Sequence, residues 1–127
     1  LASGGSATYT PGRGVTMSGN FSVSAGDTLQ ILVGERGIDD IPGFGGGGGG
    51  GTYIANGPTI ASATLMLAAG GGGGAGTTGT QTNSNASTGT SGIDGSGANP
   101  GTGGTAGAGG TFAAVTSGAG AGWLSNA

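Results

Sequence analysis

Apolar and polar residues alternate with period two over residues 15–24. Val15, Met17, Gly19, Phe21 and Val23 fall on one face, and Thr16, Ser18, Asn20, Ser22 and Ser24 on the other. Such alternation predicts a half-buried β-strand. Ser24-Ala25-Gly26-Asp27 then supplies turn chemistry, since Gly tolerates positive φ and Ser and Asp side chains bond nearby backbone. Leu29, Ile31 and Val33 resume the alternation, with Leu32 facing the other way. Two runs joined by a short turn predict a hairpin. Further short strands are predicted at Thr52-Tyr53-Ile54 and over residues 63–69, separated by an Asn56-Gly57-Pro58 turn. Residues 6–10 read as an edge strand stopped by Pro11, and residues 112–116 as a late return strand. Nothing has helical periodicity with caps, and glycine at this density opposes the α-helix.

Glycine accounts for 37 of 127 residues, far above ordinary usage. Residues 45–51 are an unbroken glycine run, and residues 70–74 are another. Elsewhere glycine keeps a three-residue register: Gly70, Gly73, Gly76 and Gly79; Gly89, Gly92 and Gly95; Gly101, Gly104, Gly107 and Gly110. Ala98 fills the one skipped position between the last two sets. Three residues per turn is the repeat of the polyproline-II helix, which polyglycine also adopts. A flexible linker is the plain reading of a glycine-rich tail. The sustained register, the small uncharged residues between glycines and the interleaving with strands all oppose it.

A lone helix of this kind has no internal hydrogen bonds, so neighbouring rods must exchange N–H···O=C bonds. Only Gly permits that approach of backbones. Residues 43–51, 70–79, 89–97 and 101–110 form segments of similar length, each spanning about 31 Å at about 3.1 Å per residue. Reversals fall at Ala98-Asn99-Pro100 and in the glycine-free residues 81–88. The expected fold is all-β with a bundle of polyglycine-II helices, as a single module over residues 1–127. Residues 1–69 are β-rich and carry a glycine run at 43–51. Residues 70–110 are rich in polyglycine II, and residues 111–127 close the module.

Charge is sparse: Arg13 and Arg36 against Asp27, Glu35, Asp39, Asp40 and Asp94, a net −3, with no Lys, His or Cys. Nucleic acid is not an expected partner, because phosphate binding needs clustered Lys and Arg. No apolar run reaches transmembrane length, so no membrane insertion is expected. Without Cys or His, thiol and imidazole nucleophiles and N- or S-ligated metal sites are excluded. The five acids form no recognisable catalytic pair. No glycine run is followed by Gly-Lys-Ser/Thr, which argues against a phosphate-binding loop. No enzyme, metal or cofactor is expected. The chain opens at Leu1 without a signal-peptide pattern and reads as a mature or trimmed fragment.

Several segments then resemble a known series in order: Leu29-Gln30-Ile31-Leu32-Val33-Gly34, the run at 45–51, Thr52-Tyr53-Ile54, and Leu65-Met66-Leu67-Ala68-Ala69 running into 70–74. The series resembles the extracellular glycine-rich region of the anaplastic lymphoma kinase and leukocyte tyrosine kinase receptors, and segments of bacterial surface proteins. It covers residues 14–76 well and the remainder only in kind. Glycine-rich phage tail-tip adhesins are a looser likeness. The resemblance implies a small β-sandwich of tumour-necrosis-factor-like, jelly-roll type beside the polyglycine-II bundle, in an extracellular or cell-surface protein. The receptors' cysteines, kinase and membrane span have no counterpart here, so receptor signalling is not carried over.

Two functions follow as expectations. The first is a structural or adhesive surface module that binds a protein or glycan ligand. Glu35, Arg36, Asp39 and Asp40 are its candidate ligand loop, set against the plainer reading of a solvated loop; a Ca²⁺ loop would need further acids. The second is a subunit of an extracellular filament or matrix, with copies of itself as partner. An arm over residues 1–10, including Tyr9 and Thr10, would reach a neighbour's open sheet edge. Tyr9, Phe44, Tyr53 and Trp123 could stack on sugars, but are expected mostly buried. Asn20-Phe21-Ser22 and Asn85-Ala86-Ser87 fit the N-glycosylation pattern, Asn85 being the better placed.

Overall fold

The computed structural model describes residues 12–38, 46–74, 85–94, 102–105, 107–111 and 123. Among these, three strands form one antiparallel sheet: β1 (Leu29–Leu32), β2 (Thr52–Asn56) and β3 (Thr64–Ala69), in the order β1-β2-β3. All three begin within the short runs where the sequence predicts strands. Leu29, Ile31, Leu32 and Gln30 pair with Asn56, Ile54, Tyr53 and Ala55 respectively. Ile54 pairs with Leu67 but Ala55 with Leu65, so Met66 is the extra residue of a bulge. The β2–β3 connection closes through a short 3-10 turn, Ile60–Ser62, held by Ser62 N–H donating to the Thr59 carbonyl at 3.1 Å. The all-β expectation holds to this extent.

Between β1 and β2 the chain leaves the sheet. Residues 34–38 run out and residues 46–51 run back beside them. Gly50 N–H donates to the Glu35 carbonyl at 2.8 Å, and Gly47 N–H to the Ile38 carbonyl at 3.1 Å. Residues 70–74, which continue β3, lie along the other side of 46–51: Gly49 N–H donates to the Gly72 carbonyl at 2.8 Å. Residues 12–15 follow, with Gly12 N–H on the Gly73 carbonyl (2.9 Å) and Val15 N–H on the Gly70 carbonyl (3.1 Å). In the first and last of these contacts, bonds recur every third residue on both partners and run antiparallel.

Packing explains why these positions are glycine. A Cβ on Gly34 would collide with the Gly50 carbonyl, one on Gly37 with Gly47, one on Gly71 with Gly49, and one on Gly74 with Gly46. The fully buried residues described are Gly12, Gly46, Gly49, Gly72 and Ala55. Among the described residues, burial is therefore mostly of glycine backbone, with one buried apolar side chain, Ala55. Each hydrogen bond there spares a buried polar group the cost of remaining unpaired, about 1–3 kcal/mol.

Two sequence expectations are corrected. No strand forms over residues 15–24, and so no hairpin with β1. The start of that segment bonds to the glycines of 70–73 at three-residue spacing, which is incompatible with a two-residue ladder. Phe21 instead lays its ring over Gly19, where a Cβ would be 2.9 Å from the ring edge. The intervening turn does form, with Asp27 N–H on the Ser24 carbonyl at 3.1 Å and Gly26 at φ 95°. The described residues of the predicted 101–110 segment, 102–105 and 107–110, do not continue as one straight rod. The chain reverses at Ala108 N–H to Thr105 carbonyl, with Gly107 at φ 85°, and Thr111 N–H returns to the Thr102 carbonyl. The predicted strands at 6–10 and 112–116 lie outside the described residues.

Candidate functional site

Glu35 and Arg36 follow β1 after Val33 and Gly34, on the outermost of the described glycine-lined segments. Their backbone is held by the Gly50-to-Glu35 and Gly47-to-Ile38 bonds, and by Gly34 N–H donating to Thr52 Oγ1 at 3.1 Å. Both side chains are exposed. Residues 35–38 form one wall of a shallow, open groove of about 300 Å³, whose other wall is Gly47, Gly48 and Gly50. The groove thus offers one carboxylate, one guanidinium and the exposed Ile38 over a floor of peptide backbone. Asp39 and Asp40, the rest of the candidate loop, lie outside the described residues, as do Tyr9 and Thr10 of the candidate arm.

Asn85 is exposed, but its side chain is engaged. Its Oδ1 accepts from Arg13 N–H at 2.9 Å, while Ala86 N–H donates to the Arg13 carbonyl at 2.8 Å. These two bonds fasten residues 85–86 to 12–15. Ser87 Oγ, the hydroxyl of that glycosylation pattern, accepts from Gly89 N–H. Asn20, Phe21 and Ser22 are all exposed.

Tyr53 and Trp123 meet with ring centroids 5.5 Å apart, tilted at 47°. Both are half-buried, and burial pushes the Tyr53 phenol above its ordinary value. Two of the four aromatics considered for sugar stacking thus pack on each other; Tyr9 and Phe44 lie outside the described residues.

Sequence reasoning missed the polar contacts that join distant segments. Asp27 accepts from Ser24 N–H (2.8 Å) and from Asn56 Nδ2 (3.0 Å), which holds its carboxyl below the ordinary value, the Ser24 bond being the larger cause. Asp94 accepts from Gly103 N–H at 2.8 Å, beside the Gly92 N–H to Gly104 carbonyl bond. The period-three register could have suggested the last pairing, since Gly92 and Gly104 are both register positions. No group of three or more His, Cys, Asp or Glu among the described residues could hold a metal ion. No described helix is long and apolar enough to cross a membrane. Comparison with family models, curated proteins and solved structures finds no match to this chain.

Proposed function

We propose that this chain is a non-enzymatic structural or adhesive module of an extracellular or cell-surface protein. In this reading the glycine segments are polyglycine-II helices packed beside a sheet that is one half of a small β-sandwich. One observation carries it: interlocked glycine backbones with bonds repeating every third residue, as Gly47 and Gly50 do on Ile38 and Glu35. Such packing makes a stiff platform from residues that would otherwise be a tether. The ordered series resembling the receptor glycine-rich region supports a surface location. The groove at Glu35, Arg36 and Ile38 is where a protein or glycan ligand docks.

The platform and the groove have separate tests. Amide exchange of Gly47, Gly49 and Gly50 should be slowed well below random-coil rates; unprotected glycines return the chain to the linker reading. Glycan and protein arrays should yield a ligand whose binding weakens in Glu35→Ala and Arg36→Ala. A ligand indifferent to both changes sinks the groove assignment.

The second reading, a self-assembling subunit of a filament or matrix, is favoured by a different observation. Large apolar side chains stay exposed on the sheet and beside it, including Ile31, Leu32, Val33 and Phe21. Exposed apolar surface of this kind marks association sites.

A further inference from the structure

Among the described residues, the outer edge of β1 carries no further strand, and the direction of its backbone groups can be identified. Gly57 N–H donates to the Thr28 carbonyl at 2.9 Å, which makes Thr28 and Gly57 a hydrogen-bonded pair. Direction alternates along an antiparallel ladder. Thr28, Gln30 and Leu32 therefore point their backbone groups toward β2, and Leu29, Ile31 and Val33 point theirs away. Gly34 fits the same phase, since its N–H reaches Thr52 of β2. Among the described residues, no hydrogen bond from Leu29, Ile31 or Val33 runs outward from that edge. Their residues are 45, 63 and 69 % exposed.

Natural edges are usually guarded by Lys, Pro or inward charges against pairing. None of the three strands contains a charged residue or a proline. With a net charge of −3 over 127 residues, little repels a second copy.

We propose that β1 pairs antiparallel with β1 of a second copy, across a two-fold axis at Ile31. Centred there, Ile31 faces its own counterpart as a hydrogen-bonded pair, and Leu29 of each copy faces Val33 of the other. Every outward N–H and C=O of the three residues then finds a partner, giving six hydrogen bonds. The same register brings the three side chains of each copy onto one face, beside Ile54 and Leu67, as a continuous apolar ridge. Any other register leaves outward groups unmatched at both ends. The two sheets become one of six strands, with β3 at each rim. The interface is isologous, as most dimers are. The proposal rests on the self-assembling reading above, but needs no arm from residues 1–10.

Burying half-exposed aliphatic side chains on this scale removes a few hundred Å² of apolar surface at most, at about 60–120 Å² per full side chain. That is short of the roughly 800 Å² per partner typical of stable complexes. The pairing is therefore a weak, concentration-dependent dimer, strengthened when many copies are held together.

The test uses the full chain. Sedimentation from micromolar to millimolar concentration should reveal a monomer–dimer equilibrium. Ile31→Pro removes only an outward donor, two bonds per dimer, and should weaken the dimer about tenfold or more. Ile31→Lys should do the same by charge, and unchanged exchange at Ala55 shows that each variant is folded. The chain lacks cysteine, so single substitutions report register. Counterparts at position 31 would lie about 5.5 Å apart at Cα, within disulfide reach. Counterparts at position 33 would lie about 14 Å apart, four residues of offset at about 3.3 Å each plus the inter-strand spacing. Ile31→Cys should thus oxidise to a linked dimer much faster than Val33→Cys. A monomer at every concentration overturns the proposal. So does a dimer untouched by both Ile31 variants, or equal crosslinking at the two positions. Each of these outcomes leaves the glycine protection test of the platform unaffected.

Discussion

Gly70 and Gly71 are chain neighbours, yet alanine should have opposite effects at the two. A Cβ on Gly71 would overlap the Gly49 carbonyl and sit 2.6 Å from the Gly50 oxygen. Relieving that requires residues 70–74 to part from 46–51 by about 1 Å, given ordinary contact near 3.5 Å. The Gly49-to-Gly72 bond, now 2.8 Å, would then exceed hydrogen-bonding range. Overpacking strain of about 1–3 kcal/mol and a lost bond of about 1 kcal/mol outweigh the about 0.4–1 kcal/mol gained by restricting the unfolded chain. Gly71→Ala should therefore destabilise by about 1–3 kcal/mol. A Cβ on Gly70 meets only Ala86 Cβ, at 3.4 Å. There the unfolded-state gain stands alone, and Gly70→Ala should be neutral or slightly stabilising. Urea unfolding followed by Trp123 fluorescence gives both midpoints, and an unchanged m-value certifies the comparison. Equal midpoints for the two variants would refute the interlocked-backbone account, because a flexible tether cannot distinguish adjacent glycines.

Three further outcomes follow from the polar contacts and from the burial of Tyr53. The folded Asp27 carboxyl titrates below its ordinary value of about 3.9, so its contribution is present above that pH and is lost as pH falls through the folded value; Asp27→Asn should flatten that acid limb in pH-dependent unfolding. Tyr53 titrates above its ordinary value of about 10, so the folded chain keeps the proton longer and stability falls as pH rises past that point; Tyr53→Phe should remove this alkaline loss in the same assay. Asn85→Ala removes the acceptor for Arg13 N–H and should cost about 0.5–1.5 kcal/mol, read as faster exchange at Arg13 and Ala86; unchanged exchange there would show that residues 85–86 are not fastened to 12–15.

The three strands were legible from different signals: alternation at Leu29, Ile31 and Val33, the β-branched and aromatic Thr52-Tyr53-Ile54, and the short apolar run over 63–69, whose strand begins at Thr64. Alternation over residues 15–24 misled for a definite reason. Period two reports an extended backbone with two faces and is silent about its neighbour, which here is a glycine segment. The glycine runs announced close backbone approach but not which runs meet. Pairings such as Arg13 with Asn85, 72 residues apart, depend on the three-dimensional path and leave no local trace. At the candidate site, Glu35 and Arg36 were visible as part of an unusual concentration of charge after a strand, whereas the exposed Ile38 was not singled out. The opposite wall was not, because Gly47, Gly48 and Gly50 contribute only main chain, which is identical at every position of the run.

That identity has a kinetic consequence. Residues 46–51 could slide along 34–38 or 70–74 without pushing any side chain into a neighbour, so slipped arrangements are nearly isoenergetic traps. What breaks the tie is β2, which begins at Thr52, immediately after the run. A one-residue slip there would turn Tyr53 and Ile54 to the wrong faces of the sheet. The strand acts as a stop for the glycines upstream. We therefore expect the folding transition state to contain the β1-β2-β3 sheet while the glycine segments are still unaligned. Truncations in β2, such as Ile54→Val, would then slow folding, whereas Gly71→Ala would chiefly speed unfolding. The reverse partition in a chevron analysis would mean that the glycine segments find their alignment unaided.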